Sequence, residues 1–214
     1  MTCAGLTVDE ADELNDLSAS ETIRVKLAET PGEWIGLVAV RLSVFCDEQG
    51  VPVSGELDDH DRSAVHAVAM IVGSDEVPSG VAVTRQGAAL RASAQAGRYL
   101  PMSLAGARGG HKDDGRTAHA IGGARLVRRP EGIAQIGRVA VLPAWRGTGL
   151  GGRIMRLLEE VALARGSTRV MIHAQVQAMS FYDRLGYVVD GAGNIFLEDG
   201  IPHVRMMKPL SVDM

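Results

Sequence analysis

The chain has little cysteine, no surplus of positive charge and no long apolar run, and each shortage removes a class of protein. Two cysteines in 214 residues, Cys3 and Cys46, match no metal-ligand spacing and are too few for a disulfide framework, so both read as free thiols. A formal charge of −4 gives no general electrostatic case for nucleic acid or for an anionic membrane. No apolar stretch could span a bilayer, and Met1 to Leu17 is acidic and polar where a signal peptide would be cationic and apolar. The expectation is a cytoplasmic protein that binds neither nucleic acid nor membrane. What is present is a hydrophobic content of 46%, enough to fill the core of one domain with a long insertion.

Residues 1–20 carry many Asp and Glu with little periodicity and read as a loosely held leader; residues 21–210 read as the domain. Glu21 to Leu27 alternates as a strand does, and Thr30-Pro31-Gly32 then opens a helix. That helix presents Trp34, Leu37, Val38, Leu42 and Phe45 on one face and ends near Gly50-Val-Pro52. Ala64 to Val72 is a continuous apolar run, as a strand buried on both faces requires. Two pieces, Ser79–Thr84 and Ala120–Val127, each qualify as the next strand. Between them, residues 86–116 are rich in Ala, Gly, Ser and Arg and read as an inserted segment of low order, with a short helix over Ala88–Gln95 as the alternative. A turn at Glu131-Gly132 leads into a strand over Ile133–Val141. The later elements are a helix ending at Gly166, a strand over Arg169–His173, a helix over Gln177–Leu185, and strands over Tyr187–Val189 and His203–Met207. The order describes an α/β chain whose middle sheet is antiparallel.

The most informative stretch runs from Val139 to Arg153: a strand breaks at Pro143 and turns through Gly147, Gly149, Gly151 and Gly152 into an amphipathic helix. Unpaired N–H groups and the positive end of the helix dipole make such a turn an anion site, suited to a diphosphate. Read literally, Gly147-Thr-Gly-Leu-Gly-Gly152 satisfies the dinucleotide fingerprint. It fails in context: Pro143 to Arg146 separate it from the strand, residue 172 is Ile where the ribose-binding acid belongs, and only about 60 residues follow. A Walker loop fails because Arg153 follows Gly152 with no Gly-Lys-Ser/Thr. A helix start with no ligand is disfavoured, since Ser or Asp would cap it better than glycine.

Arg146-Gly-Thr-Gly-Leu-Gly151 resembles the Q/R-x-x-G-x-G/A element of the Gcn5-related N-acetyltransferases (GNAT), with the expected strand Ile136 to Pro143 before it. Gln175-Val-Gln-Ala-Met-Ser-Phe-Tyr182 resembles the family's N-x-x-A-x-x-x-Y stretch, with Gln175 where Asn is usual. Arg41 to Gln49, Glu56-x-Asp58-x-x-Asp61 and Gly200-Ile-Pro-His-Val204 look like the ElaA/YjcF branch of that superfamily. The resemblance spans roughly Glu21 to Lys208. It implies a single domain with a mixed, mainly antiparallel sheet flanked by helices, and a splayed strand pair, Ile136–Val141 and Arg169–His173, that binds CoA.

It also implies roles. Acetyl-CoA is the expected cosubstrate, its diphosphate held by Arg146, Gly147, Thr148, Gly149, Leu150 and Gly151. Its pantetheine arm would bond the backbone of Val139, Ala140 and Val141, with Gln175 and Tyr182 beside it. An amide near Val139 or Ala140 would stabilise the oxyanion, and Tyr182 would protonate the leaving thiolate. The family's usual acid just before Arg138 is Gly137 here, so the general base falls to Glu48 or His203. His173 and Cys46 take bland readings, as a buried or incidentally exposed imidazole and thiol. Asp58, His60 and Asp61 read as a solvated or substrate-facing loop, and no metal is expected. The function implied is transfer of an acetyl group to a primary amine on a small molecule or peptide by direct attack, with homodimerisation left open. The acidic loop hints at a cationic acceptor. The alternatives are a CoA-binding module without catalysis and a transferase of longer acyl chains.

Overall fold

The computed structural model describes residues 22–73, 96–104 and 118–211. The expected leader, the candidate strand Ser79–Thr84, the candidate helix Ala88–Gln95 and the remainder of the 86–116 segment lie outside the described residues. Within them the order is β1 (Thr22–Leu27), α1 (Pro31–Arg41), α2 (Val53–Glu56), β2 (Val65–Val72), β3 (Ala118–Arg128), β4 (Ile133–Val141) and α3 (Leu150–Ala164). Then come β5 (Arg169–Gln175), α4 (Met179–Arg184), β6 (Val188–Val189), β7 (Ile195–Glu198) and β8 (Ile201–Pro209). The strands form one sheet in the order β1-β2-β3-β4-β5-β8-β6, with β7 also paired to β8. Among the described strands only β4 and β5 run parallel; the other pairs are antiparallel.

The continuous apolar run of β2 is explained by helices on both faces of the sheet. Val68, Met70 and Val72 pack with Trp34, Leu37, Val38 and Leu42 of the first helix, while Ala67, Ala69 and Ile71 join the core built on Ile154, Met155 and Leu158 of α3. Burial of each large aliphatic side chain contributes about 1.5–3 kcal/mol. Thr30 and Glu33 cap α1 reciprocally, each satisfying a backbone N–H of the other. Beyond Arg41 the helix widens into a π-helix over Leu42–Glu48, which carries Phe45, Glu48 and Gln49 toward the cleft described below. Within the segment expected to lack order, residues 96–104 pack against α1: Ala96 and Leu104 are buried, and Trp34 Nε1 donates to the Ala96 carbonyl at 3.0 Å.

Of the two candidates for the strand after β2, Ala120–Val127 lies within β3. Glu131 and Gly132, at φ 58° and 68°, make the tight turn into β4. Strand β7 has no counterpart in the sequence reading. It pairs with β8 through a second turn of the same kind at Asp199 and Gly200, φ 53° and 78°.

Two irregularities of β4 position the site. Pairing with β5 stops at Ile136↔Ile172, so Gly137–Val141 and His173–Gln175 part from one another, as the resemblance implied. On its other edge, Arg125 pairs with Gly137 and Gly123 with Ala140, so two residues of β4, Arg138 and Val139, oppose Ala124 alone. This is a β-bulge, with Arg138 in the left-handed region at φ 53°. A non-glycine residue there costs about 1–3 kcal/mol and persists only when its surroundings hold it.

Candidate active site

The glycine turn forms as its residue types require. Gly147 and Gly149 lie at φ 81° and 77°, where an L side chain would be strained, and a Cβ on either would meet open space. Gly149 is the residue before α3, whose first-turn N–H groups therefore have no side-chain cap. Gly151 packs on Phe181: a Cβ added to it would lie 3.1 Å from the ring, so glycine lets α3 seat closely against α4.

Beside the turn lies a cavity of about 600 Å³. Of the residues expected to hold the cofactor, Val139, Val141, Arg146, Gly147, Gly149, Leu150, Gly151, Gln175 and Tyr182 line it. Thr148 does not; its hydroxyl donates to the Trp145 carbonyl at 2.9 Å and tightens the turn. Ala140 is buried in the core on the opposite side of β4. The cavity adds groups that sequence reasoning missed, among them Trp145, Phe181, Arg156 and Arg184. Both arginines lie at helical spacing from neighbours that could have found them, Arg156 four residues after Gly152 and Arg184 three after Phe181.

A second cavity of about 140 Å³ lies on the far side of the splay and holds His173, His203, Glu56, Arg138, Glu198 and Gly137. The two cavities share Gln49, Val139, Gln175, Ala178 and Tyr182. Tyr182 is 8% exposed, and burial raises its phenol well above the usual range, so it keeps its proton at neutral pH.

Glu48 does not line the second cavity. It forms a bidentate pair with Arg146 at 2.8 and 2.6 Å, and that hydrogen bond holds its carboxyl below the usual range despite partial burial. Arg146 also donates from Nε to the Val141 carbonyl at 3.0 Å. Next to it, Gln175 donates to Gln49 Oε1 at 2.8 Å, so the end of the π-helix is tied to both sides of the cleft. His203 does line the second cavity; its Nδ1 donates to the Ile201 carbonyl at 2.8 Å.

His173, read as bland from the sequence, also lines this cavity. Its Nδ1 lies 3.0 Å from Glu198 Oε2, and Phe196 meets the ring edge-on at 4.9 Å. A carboxylate can only accept, so Nδ1 carries the hydrogen. The His173 hydrogen bond, against burial and with the charges of His203 and Arg138, holds the Glu198 carboxyl below its usual range.

In the acidic loop Asp58 and Asp61 are ion-paired rather than solvated, which corrects the sequence reading for these two, while Asp59 and His60 are exposed. Asp61 is fully buried, and Arg41, itself 0% exposed, donates to Asp61 at 2.7 Å and to Glu56 at 2.6 Å. Burial alone would raise the Asp61 carboxyl; the guanidiniums of Arg41 and Arg125 hold it well below its usual range. Asp58 is bound bidentately by Arg125 at 2.7 and 3.0 Å. Arg138 extends the network into the second cavity: it bonds the Gly55 and Glu56 carbonyls, lies 3.2 Å from the Glu56 carboxylate and 3.6 Å from Glu198. These contacts hold the strained bulge residue in place. Among the described residues, no group of three or more His, Cys, Asp or Glu is arranged to hold a metal, and no helix is long and apolar enough to cross a membrane.

Comparison with known proteins agrees with this geometry. The profile of the "Acetyltransferase (GNAT) domain" matches residues 111–210. The Bacillus subtilis protein named as the uncharacterized N-acetyltransferase YjcF is 30% identical over 169 residues, 79% of this chain and 87% of its own length. An acyl-CoA N-acyltransferase from Pseudomonas aeruginosa superposes with a TM-score of 0.56 at 26% identity, over 88% of this chain and 99% of that one. Escherichia coli ElaA superposes with the same TM-score at 20% identity, over 87% and 99% of the two chains, which shows the shared fold. The chain belongs to the GNAT acetyltransferase family, in its ElaA/YjcF-like branch.

Proposed function

We propose that the protein transfers the acetyl group of acetyl-CoA to a primary amine by direct attack of the amine on the thioester. The observation that carries this reading is the parting of β4 from β5 after Ile136↔Ile172, which opens two cavities onto one junction at Val139 and Tyr182. The larger cavity suits the cofactor: left-handed glycines leave room for a diphosphate at uncapped amides, and Arg146, Arg156 and Arg184 supply cations for its phosphates. The freed edge of β4 offers its backbone to the pantetheine amides as an added strand would.

At the junction, the amide of Val139 donates to the oxyanion that forms as the amine adds. The carbon–sulfur bond then breaks, and Tyr182 protonates the departing thiolate. The smaller cavity, which sets Glu56, Glu198 and Asp199 beside Arg125 and Arg138, suits a polar amine acceptor. Its imidazoles and carboxylates favour a catalytic role over a CoA-binding module.

The test is release of CoA thiol from acetyl-CoA in the presence of spermidine, glucosamine or a peptide with a free N-terminus. Tyr182→Phe is expected to lower turnover while CoA affinity stays within a few-fold. Unchanged turnover removes Tyr182 from the reaction. Tight acetyl-CoA binding with no turnover on any amine identifies a non-catalytic module, and competition by longer acyl-CoAs reports the acyl preference.

A further inference from the structure

We propose that His173, oriented by Glu198, is the general base that takes the proton from the acceptor amine. The inference rests on the acetyl-transfer reading above and assigns the one role that reading leaves open.

Three observations converge. First, His173 directly follows Ile172, the last residue of β5 paired with β4, so it stands where the strands part. Gly137, which directly follows Ile136, is its opposite number across the opening; both line the acceptor cavity, and a Cβ on Gly137 would meet nothing within 4 Å. The imidazole on β5 thus borders the space that a side chain at residue 137 would have entered. Second, Nδ1 donates to Glu198 at 3.0 Å, which fixes the tautomer and leaves Nε2 as the acceptor nitrogen. Third, Glu198 is itself fixed: Arg138 lies 3.6 Å from its other oxygen, and β7 holds it through a tight turn onto β8. Base, orienting carboxylate and the clamp on that carboxylate come from three strands.

The proton balance is simple. The neutral amine nitrogen forms its bond to the thioester carbon while losing a proton to His173 Nε2. The carbon–sulfur bond breaks, and the thiolate is protonated by Tyr182. The imidazolium formed faces the Glu198 carboxylate, a charge-assisted contact that strengthens as the proton arrives. Two of the other charged groups near His173 are already paired, and Asp199 lines the same cavity. Arg205, opposite it on β8, is bound to Asp190 at 2.6 Å, and Arg138 is engaged by Glu56. His203 pairs with Gln175, two register positions further along β5, and its Nδ1 is hydrogen-bonded to the Ile201 carbonyl, so its ring is oriented by a neutral acceptor where that of His173 is oriented by a carboxylate.

The experiment follows kcat against pH at saturating acetyl-CoA and amine, drawn from spermidine, glucosamine and a free-N-terminal peptide, with CoA affinity measured by calorimetry on each variant. His173→Gln is expected to lower kcat by about 10²- to 10⁴-fold and to abolish the acid limb of the profile, with CoA affinity unchanged. Glu198→Gln is expected to move that limb to lower pH, because loss of the opposite charge makes the imidazole less basic. His203→Gln should leave the limb in place. A limb that survives in His173→Gln, or moves only in His203→Gln, overturns the assignment while acetyl transfer stands. If the wild-type protein binds acetyl-CoA and acetylates none of the amines, acetyl transfer and this base fall together.

Discussion

Arg146, the cation expected to meet the CoA diphosphate, is engaged in advance by Glu48, and that pairing predicts a Glu48→Gln variant with tighter CoA binding. The pair is bidentate at 2.8 and 2.6 Å, and its side chains are 43% and 40% exposed. Exposed pairs contribute about 0.2–1 kcal/mol, and two parallel bonds place this one near the upper end. A ligand that takes Arg146 must first break it. Removing the Glu48 charge spares that loss, worth about 1 kcal/mol or roughly a fivefold lower Kd for CoA at low salt. The amide of Gln keeps nearly the same shape, so packing of the π-helix end is preserved. Relief of through-space repulsion between Glu48 and the phosphates would also lower Kd, and a double-mutant cycle separates the two. In an Arg146→Gln background the Glu48→Gln gain should shrink to the repulsion alone, and the coupling should fade between about 0.05 and 0.5 M salt as screening sets in. Calorimetric titration of CoA into the four proteins measures it. Equal gains with and without Arg146 would refute the idea that the pair competes with the ligand.

Two further predictions concern the frame of the site. Gly123→Ala would place a Cβ 2.4 Å from the Ala67 carbonyl oxygen and from Leu37 Cδ1, and backbone cannot retreat as a side-chain end can. A loss of about 3 kcal/mol, or roughly 6–12 °C in Tm, is expected by scanning calorimetry, whereas Gly137→Ala, facing open space, should stay within about 0.5 kcal/mol; similar Tm values for the two would refute the steric argument. His66 is 4% exposed, donates from Nε2 to the Asp61 carbonyl and has no hydrogen-bond partner at Nδ1 among the described residues; burial, aided by the Arg41 and Arg125 charges, lowers its pKa to about 4. Because the folded value lies below the unfolded one, near 6.5, both states are neutral above that value; as pH falls below it only the unfolded chain gains the proton, so stability drops, by about 2 kcal/mol at pH 5. Urea unfolding should show this drop in the wild type relative to His66→Gln, and equal slopes between pH 6.5 and 5 would contradict it.

The elements legible in the sequence are those whose determinants lie close together along the chain. The glycine turn, its helix and the strand before it occupy residues 136–164, and each glycine or apolar stripe states its own reason. The splay of β4 from β5 was available only through resemblance, since no local pattern says where a parallel pair stops bonding. The base was illegible for a different reason. His173 and Glu198 are 25 residues apart, and Glu198 comes to His173 on a four-residue strand set among Gly191, Gly193 and Gly200, too short and too exposed to show its alternation. Once β7 is placed, that alternation becomes plain: Glu198 lines the cavity and Phe196 packs on His173, while Ile195 and Leu197 are exposed. The acidic loop was misread although its signal was present. Counting from Trp34, residues 37, 38, 41 and 42 share one helix face, so the spacing that buries Leu37, Val38 and Leu42 buries Arg41 with them. A buried guanidinium requires carboxylates, and Glu56, Asp58 and Asp61 lie just beyond the helix. Arg41 thereby folds the loop inward, the loop presents Glu56 to Arg138, and Arg138 holds both the bulge of β4 and Glu198. A charge placed on the apolar face of the first helix thus reaches, through Glu56 and Arg138 in turn, the carboxylate that orients His173.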